Sequence, residues 1–317
     1  MEQVKLSTKI AGIDVSKKKL DVAGHGVEAL TQVANDRAGF VELLAWLERL
    51  GVVRVGLEAT GGYERAVVAF LQAKGFEVVI HQPLEVRLFA RLKRRRAKND
   101  RIDAVLIAAA TAQVDTVKAA ADQLLVELAE WMTAYEQATD QLAQLKTYLE
   151  QVTLPKLAAR YRTQLRRAQA WKVDMLREVL KRIRSRPDLA HRYALLLSLP
   201  GTGPVVAASL VIRMPELGSM EPGQAAALIG VAPYDFDTGQ YKGQRHISGG
   251  RARPRRMLYL AALAAKRYDP GLRAFAERLL AAGKPPKVVI TAVMRKLIQA
   301  ANLVLARGQP WVRTQTA

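Results

Sequence analysis

The chain has 317 residues, a formal net charge of +20 and no cysteine, and 50% of its residues are hydrophobic. That length gives room for two domains or three, with ample apolar material for their cores. The charge excess points to a polyanionic partner, and the absence of cysteine excludes disulfides and thiolate metal sites. No apolar run in the sequence approaches the ~20 residues that span a bilayer. Met1 to Lys9 lacks an apolar signal region. A cytoplasmic protein with no membrane partner is expected.

Lys9 to Val15 reads as a buried strand carrying Asp14, followed by a polar turn and a hairpin partner, Leu20 to Ala23. A carboxylate in an apolar strand is costly unless it is paired or metal-bound; the alternative is that Asp14 ends the strand and caps a turn. Asn35-Asp36 caps a helix through Leu50, which Gly51 stops. Val52 to Glu58 is a second strand, also ending on an acid. Ala59 to Tyr63 turns into a helix over Glu64 to Lys74, and Phe76 to Ile80 is a third strand. This alternation predicts an α/β domain with a largely parallel sheet, whose strand ends are the usual place for a site.

Arg91, Lys93, Arg94, Arg95, Arg96 and Lys98 form a basic run with no interleaved acid. It is either a solvated face or a contact for a phosphate backbone. Asn99 then caps a helix through Ala112, and Asp100 and Asp103 share a face in its first turn. Acids there also suit the helix dipole. Asp14, Glu58, Asp100 and Asp103 would repel one another without cations. Two divalent ions ~4 Å apart would neutralise them and clamp a scissile phosphate. Oxygen ligands suit Mg²⁺ or Mn²⁺.

From Leu124 to Val152 the apolar residues Leu124, Leu128, Trp131, Tyr135, Ala138, Leu142, Leu145, Leu149 and Val152 alternate in steps of four and three. That is the seam of a coiled coil, or of one long helix lying on its own chain. Pro155 ends this helix, and a second, basic one runs from about Lys156 to Ser185, so an antiparallel hairpin is expected. Leu199-Pro200-Gly201-Thr202-Gly203-Pro204 resembles a helix-hairpin-helix turn, in which Gly201 and Gly203 would expose backbone N–H groups to phosphate. A plain helix–helix turn would read the same.

Glu221-Pro222 starts another helix, through Gly230. Ser248-Gly249-Gly250 is then flanked by Arg245, Arg251, Arg253, Arg255 and Arg256, arginines able to hold phosphate oxygens. His246 shares a strand face with Ser248 and is read as a phosphate contact. Ser248 is either a loop serine beside bound backbone or a nucleophile, which would need activation by a base or metal. Three apolar helices, Met257 to Lys266, Leu272 to Ala282 and Lys287 to Ala306, close the chain.

The order Gly-Ile-Asp14-Val-Ser, Leu-Glu58-Ala-Thr-Gly-Gly-Tyr, Lys98-Asn-Asp100-Arg-Ile-Asp103-Ala, Leu-Pro-Gly-Thr-Gly-Pro and Arg-His-Ile-Ser248-Gly-Gly-Arg resembles the DEDD transposases of bacterial insertion sequences, the bridge-RNA-guided recombinases. The resemblance runs from about Ile10 to about Arg307. It implies an α/β plus α fold class. Residues 1–117 would form a RuvC-like, ribonuclease H-type domain in which Asp14, Glu58, Asp100 and Asp103 hold Mg²⁺. Residues 118–192 would form antiparallel coiled-coil helices for dimerisation and nucleic-acid binding. Residues 193–317 would form a mostly helical transposase domain with Ser248 as nucleophile. It also implies double-stranded donor and target DNA, a structured guide (bridge) RNA, and dimers assembling to a tetramer in which acids and serine come from different protomers. The setting would be the bacterial cytoplasm, near the nucleoid. The alternative is a metal-dependent, RuvC-like junction resolvase in which water attacks and Ser248 only touches phosphate.

Overall fold

The computed structural model describes residues 9–93, 100–115, 122–235, 243 and 245–312, and of residues 100–102 the backbone. Arg94, Arg95, Arg96, Lys98 and the expected cap Asn99 lie outside the described residues. The chain divides into two compact units, Met1–Ala121 and Asp122–Ala317.

The first unit runs β1 (Ile10–Val15), β2 (Lys19–Gly24), β3 (Leu30–Ala34), α1 (Arg37–Arg49), β4 (Arg54–Glu58), α2 (Arg65–Ala73), β5 (Glu77–His81), α3 (Pro83–Leu92) and α4 (Asp100–Thr111). Its sheet has the order β3-β2-β1-β4-β5. The β1–β2 and β2–β3 pairs are antiparallel, and β1–β4 and β4–β5 are parallel. The sheet is therefore mixed, where the strand–helix alternation predicts a largely parallel one. The cause is the length of the first links. Ser16 N and Oγ both donate to the Lys19 carbonyl, at 3.0 and 2.9 Å, and turn the chain at once. Only the crossovers through α1 and α2 are long enough to return a strand parallel.

The two sheet faces differ in chemistry. Ala11, Ile13, Val15, Leu20, Val22, Val33, Val55, Leu57 and Val78 point to one face, where Phe40, Leu43 and Leu47 of α1 and Val67 and Leu71 of α2 cover them. Asp36 holds the start of α1 by accepting from Gly39 N at 2.9 Å, as its sequence position predicts. The opposite face carries small residues and lies under α4. A β-carbon on Gly12 would stand 2.3 Å from both the Ala104 carbonyl oxygen and the Ala108 nitrogen. One on Gly56 would stand 1.8 Å from Thr111 Oγ1. At Gly12 helical backbone thus rests directly on strand backbone, and at Gly56 the Thr111 side chain does, so neither position has room for a β-carbon.

The second unit comprises α5 (Gln123–Gln151), α6 (Pro155–Arg184), α7 (Pro187–Leu197), α8 (Pro204–Arg213), α9 (Pro222–Ile229), β6 (Pro233–Tyr234), β7 (His246–Ile247), α10 (Ala252–Tyr268), α11 (Pro270–Ala281) and α12 (Pro286–Arg307). Pro155 opens α6; α5 has already ended at Gln151. Proline suits the first helical position, where its missing N–H would have no partner anyway.

The two long helices run antiparallel. Asp122 meets Arg186 at 2.5 Å, Arg182 lies 5.0 Å over the Trp131 ring, Lys172 lies 5.2 Å over Tyr135, and Tyr148 meets Tyr161 edge-on at 6.3 Å. The heptad seam is largely covered by the same chain. Leu128 and Tyr135 belong to the core of the second unit, and Leu142 and Leu145 pack with Ala168 of α6.

That core centres on α12, whose Val289, Val293, Leu297, Ile298 and Ala301 are buried, and which packs against α7, α9, α10 and α11. By length and composition α12 could cross a membrane, but half of its apolar stretch is buried inside the unit.

Candidate active site

In the first unit, strand register brings the acids together. Asp14 stands opposite Asp21 of β2, which stands opposite Gln32 of β3. β1 pairs with β4 as Gly12↔Gly56 and Ile13↔Leu57, so the same register sets Asp14 beside Glu58. Glu58 in turn stands opposite His81 of β5. Directly opposed residues share a face. Gln32, Asp21, Asp14, Glu58 and His81 therefore form one polar row, two residues beyond the glycines on which α4 rests. Adjacent strands lie about 4.8 Å apart, so neighbouring carboxylates in the row can serve one ion or two.

Helix α4 supplies the remaining acids. Asp103 immediately precedes Ala104, whose carbonyl lies over Gly12. Asp100 begins the helix; its side chain lies outside the described residues. Asp14, Glu58 and Asp103 are each half-buried.

Among the described residues, no three Asp, Glu or His side chains already converge as metal ligands. The donor set nevertheless fits a hard divalent cation: carboxylate oxygens, side by side on one face, with another in the helix turn above them.

Two residues that sequence reasoning missed, Asp21 and His81, join the row, and a third, Glu64, holds the turn beside it. Asp21 is buried (4% exposed); it accepts from Gln32 Nε2 at 2.6 Å and pairs with Lys19 Nζ at 3.2 Å. His81 is buried, and its Nε2 lies 2.9 Å from Thr111 Oγ1, whose hydroxyl donates to the Ile107 carbonyl at 2.7 Å. This joins the end of α4 to the strand beside Glu58. Burial pushes the His81 imidazole below its usual pKa, against the opposing pull of Glu85. Glu64 pins the turn after Glu58, accepting from Thr60 N (3.2 Å), Thr60 Oγ1 (2.7 Å) and Gly62 N (2.9 Å). Burial opposes its ionisation, but these donors outweigh it and hold the carboxyl below its ordinary pKa. The available signal was the alternation Leu-Asp-Val after a turn, which puts Asp21 on the face of Asp14.

Of the basic run, Arg91 lies exposed in the last turn of α3. Lys93 caps that helix, with its ammonium 5.5 Å over the Phe89 ring.

In the second unit, Ser248 is exposed at the end of β7. Tyr234 and His246 face each other across the β6–β7 pair, and Arg245 meets Asp235 at 2.5 Å beside it. Gly249 and Gly250 follow with φ of 64° and 74°, both left-handed. A β-carbon on Gly249 would meet open space, whereas one on Gly250 would stand 2.2 Å from the Gly230 nitrogen. One glycine leaves room beside the serine and the other presses the loop onto the end of α9.

The flanking arginines have partners within the unit. Arg251 forks onto Glu216 at 2.7 and 2.5 Å and donates to the Arg213 carbonyl at 2.7 Å. Arg255 donates to the Gly249 and Gly230 carbonyls at 2.7 and 3.2 Å. Arg253 pairs with buried Glu136 of α5, and Arg256 with Asp140 at 2.8 Å.

The two turn glycines also divide. A β-carbon on Gly201 would stand 2.3 Å from the Ala261 carbonyl oxygen, so this glycine seats the α7–α8 turn on α10. Gly203 faces open space at the start of α8.

Residues 11–155 match a family model for the DEDD transposases of the IS110 group, described as Transposase, and residues 193–277 match the Transposase IS116/IS110/IS902 family. The pilin gene-inverting proteins of Moraxella bovis and Moraxella lacunata are each 24% identical to the chain, over 96% of it and 98% of their own length.

Proposed function

Because the chain belongs to the IS110/IS116/IS902 transposase family, a family of DNA-rearranging enzymes, we propose that it cuts and rejoins double-stranded DNA through Ser248, with carboxylates Asp14, Glu58, Asp100 and Asp103 holding Mg²⁺ or Mn²⁺. The observation that carries the metal site is the shared register of Asp14 and Glu58 under the helix that begins with Asp100. The relatives bear the name of gene-inverting proteins. An inversion needs cutting, exchange and rejoining, and that is the class of chemistry proposed here.

Ser248 Oγ attacks phosphorus and loses its proton. As the Oγ–P bond forms, the bond from phosphorus to one sugar oxygen breaks and that oxygen takes up a proton. A sugar hydroxyl of the exchanged strand then reverses the step and frees the serine. The number of phosphodiester bonds is conserved, so no outside energy source is required. A bound divalent ion supplies Lewis-acid stabilisation of the charge developing on the phosphate oxygens. The chain's own part is to hold the carboxylates in one row and to present an exposed hydroxyl beside a glycine open to an approaching backbone.

The reading extends to a structured guide RNA that pairs with donor and target DNA. A net charge of +20 supports a large polyanion, and base pairing would relieve the protein of reading sequence. The coiled-coil arm would bear on self-association through surface other than the heptad positions it already buries.

The test is recovery of the protein from cells carrying its element, followed by nuclease and protease digestion and mass spectrometry of the peptide around Ser248. A nucleotide remnant on Ser248, absent in Ser248→Ala and in Asp14→Asn, is expected. DNA cleavage that persists in Ser248→Ala while Asp14→Asn abolishes it would replace this reading with a water-using resolvase. Nuclease-protected RNA is expected to copurify; recombination by RNA-free protein would remove the guide.

A further inference from the structure

Sequence reasoning gives the arginines around Ser248 to phosphate. The structure points to a different use for two of them. We infer that Arg251 and Arg255 are positioning residues that clamp the Ser248-Gly249-Gly250 loop in its attacking conformation, and that neither contacts the nucleic acid. The inference rests on the proposed role of Ser248.

Each link of the loop on the C-terminal side of Ser248 is tied down. Arg255 donates to the Gly249 carbonyl, the first acceptor after the serine, and to the Gly230 carbonyl at the end of α9. It thereby joins the loop to a second element through one guanidinium. Gly250 is pressed on Gly230 so closely that neither has room for a β-carbon: the one on Gly230 would stand 2.3 Å from the Gly249 carbonyl oxygen. Arg251 N then donates to the Leu228 carbonyl at 2.9 Å. Its guanidinium, a third exposed, forks onto Glu216 and also meets the Arg213 carbonyl.

Two successive left-handed glycines are a flexible segment by composition. Holding them in one conformation needs anchors on the loop: Arg255 Nη1 supplies one to the Gly249 carbonyl, and the Arg251 backbone N–H supplies the next, with its planar guanidinium fixed in turn by the fork on Glu216. The geometry also separates these arginines from Arg245 and Arg256, whose pairs with Asp235 and Asp140 are more exposed and bind no part of the loop. A phosphate at Arg251 would have to displace Glu216 from the guanidinium fork, and one at Arg255 would have to leave Nη1 on its two carbonyls. A clamp keeps them through the reaction.

The experiment compares full-length wild type with Arg251→Lys, Arg255→Lys, Arg251→Gln, Arg255→Gln and Glu216→Gln. Three quantities are read: the salt dependence of binding to a mixed-sequence DNA duplex, amide hydrogen exchange at residues 249 and 250, and the yield of nucleotide-modified Ser248 peptide. The lysine variants, which keep the charge, are expected to bind DNA with the wild-type salt slope, exchange faster at Gly249 and Gly250, and lose the Ser248 adduct by roughly 10²-fold, the size of a misplaced reacting group. Glu216→Gln should behave as Arg251→Lys does, although it removes a negative charge.

The opposite pattern overturns the inference: lysine variants with wild-type exchange and adduct, and glutamine variants whose salt slope falls by about one unit each. Should Arg251→Lys fail to fold, Arg255→Lys decides alone, because it lies one turn further along α10 and leaves the ion pair intact. If wild type carries no adduct on Ser248, the serine chemistry falls. Exchange and salt slope still decide the clamp.

Discussion

The acid row and the serine loop hold their polar side chains in place by different means. In the row, backbone register does the positioning. Asp14, Glu58 and His81 lie side by side because β1, β4 and β5 pair in one register, and the face is sealed by α4 resting on Gly12 and Gly56. In the loop there is almost no register to use. The β6–β7 ladder is two residues long on each strand, and the Arg255 side chain of α10 reaches back to hold the backbone. Ladder hydrogen bonds are cooperative and distributed, so a row tolerates loss of one side-chain contact. A loop held by one guanidinium on its carbonyl and one anchored backbone N–H does not.

The largest expected effect probes the row's chemistry. Asp14→Asn and Glu58→Gln, nearly isosteric, should lower covalent adduct formation by roughly 10²–10³-fold, the scale for losing a main electrostatic contact at a reacting phosphate. Melting temperature should change little. An equal loss of stability and activity would make these acids structural.

Next come the glycines, where the two regions can be compared directly. Gly12→Val and Gly56→Val drive a side chain into α4 and should each cost about 3 kcal/mol of stability in denaturant unfolding. In the loop, Gly250→Ala should cost about 2 kcal/mol, since it adds a clash with Gly230 to an unfavourable positive φ. Gly249→Ala, which meets only the φ penalty, should cost about 1 kcal/mol. Equal costs for Gly249 and Gly250 would deny the close approach of the loop to α9.

A smaller effect reports on the seam between α4 and β5. Burial holds the His81 pKa below 6.5, so the unfolded chain binds its proton more readily than the folded one. His81 therefore leaves stability unchanged above pH 6.5 and lowers it as the pH falls from there through the depressed folded value. His81→Gln, which keeps a polar contact to Thr111, should remove that part of the acid loss. An unchanged pH profile would place His81 in a solvated site.

The smallest effect is expected at Arg256. Both members of its pair with Asp140 are exposed, at 64% and 51%, so Asp140→Asn should shift stability by no more than about 0.5 kcal/mol. A shift several times larger would make the arms of α5 and α10 a coupled ion network.

Much of this was legible from local pattern. Asp36 as a cap, the strands carrying Asp14 and Glu58, the helix carrying Asp103 and the long helix ending before Pro155 each follow from neighbours within a few residues. Other elements left weaker traces. β3 has one buried residue among five, so it shows little alternation. α3 carries exposed Leu84, Leu88 and Leu92 on its surface, with only Val86 buried. The prolines opening α7, α8, α11 and α12 were the available signal for those starts.

By itself, then, the sequence singled out the residues to which chemistry is assigned in the proposed function: four acids and a serine in a recognisable order, on elements whose type their own neighbours dictate. Tertiary structure decided what those residues stand beside. That Asp21 and His81 join the row, that the heptad seam of α5 is largely buried by its own chain, that Gly201 seats a turn on α10, and that Arg251 and Arg255 hold the serine loop all depend on contacts between segments distant in sequence. Arginine beside a loop carbonyl and arginine awaiting a phosphate have the same spelling, because the guanidinium offers the same donors to either. Only the position of the acceptor in space distinguishes them.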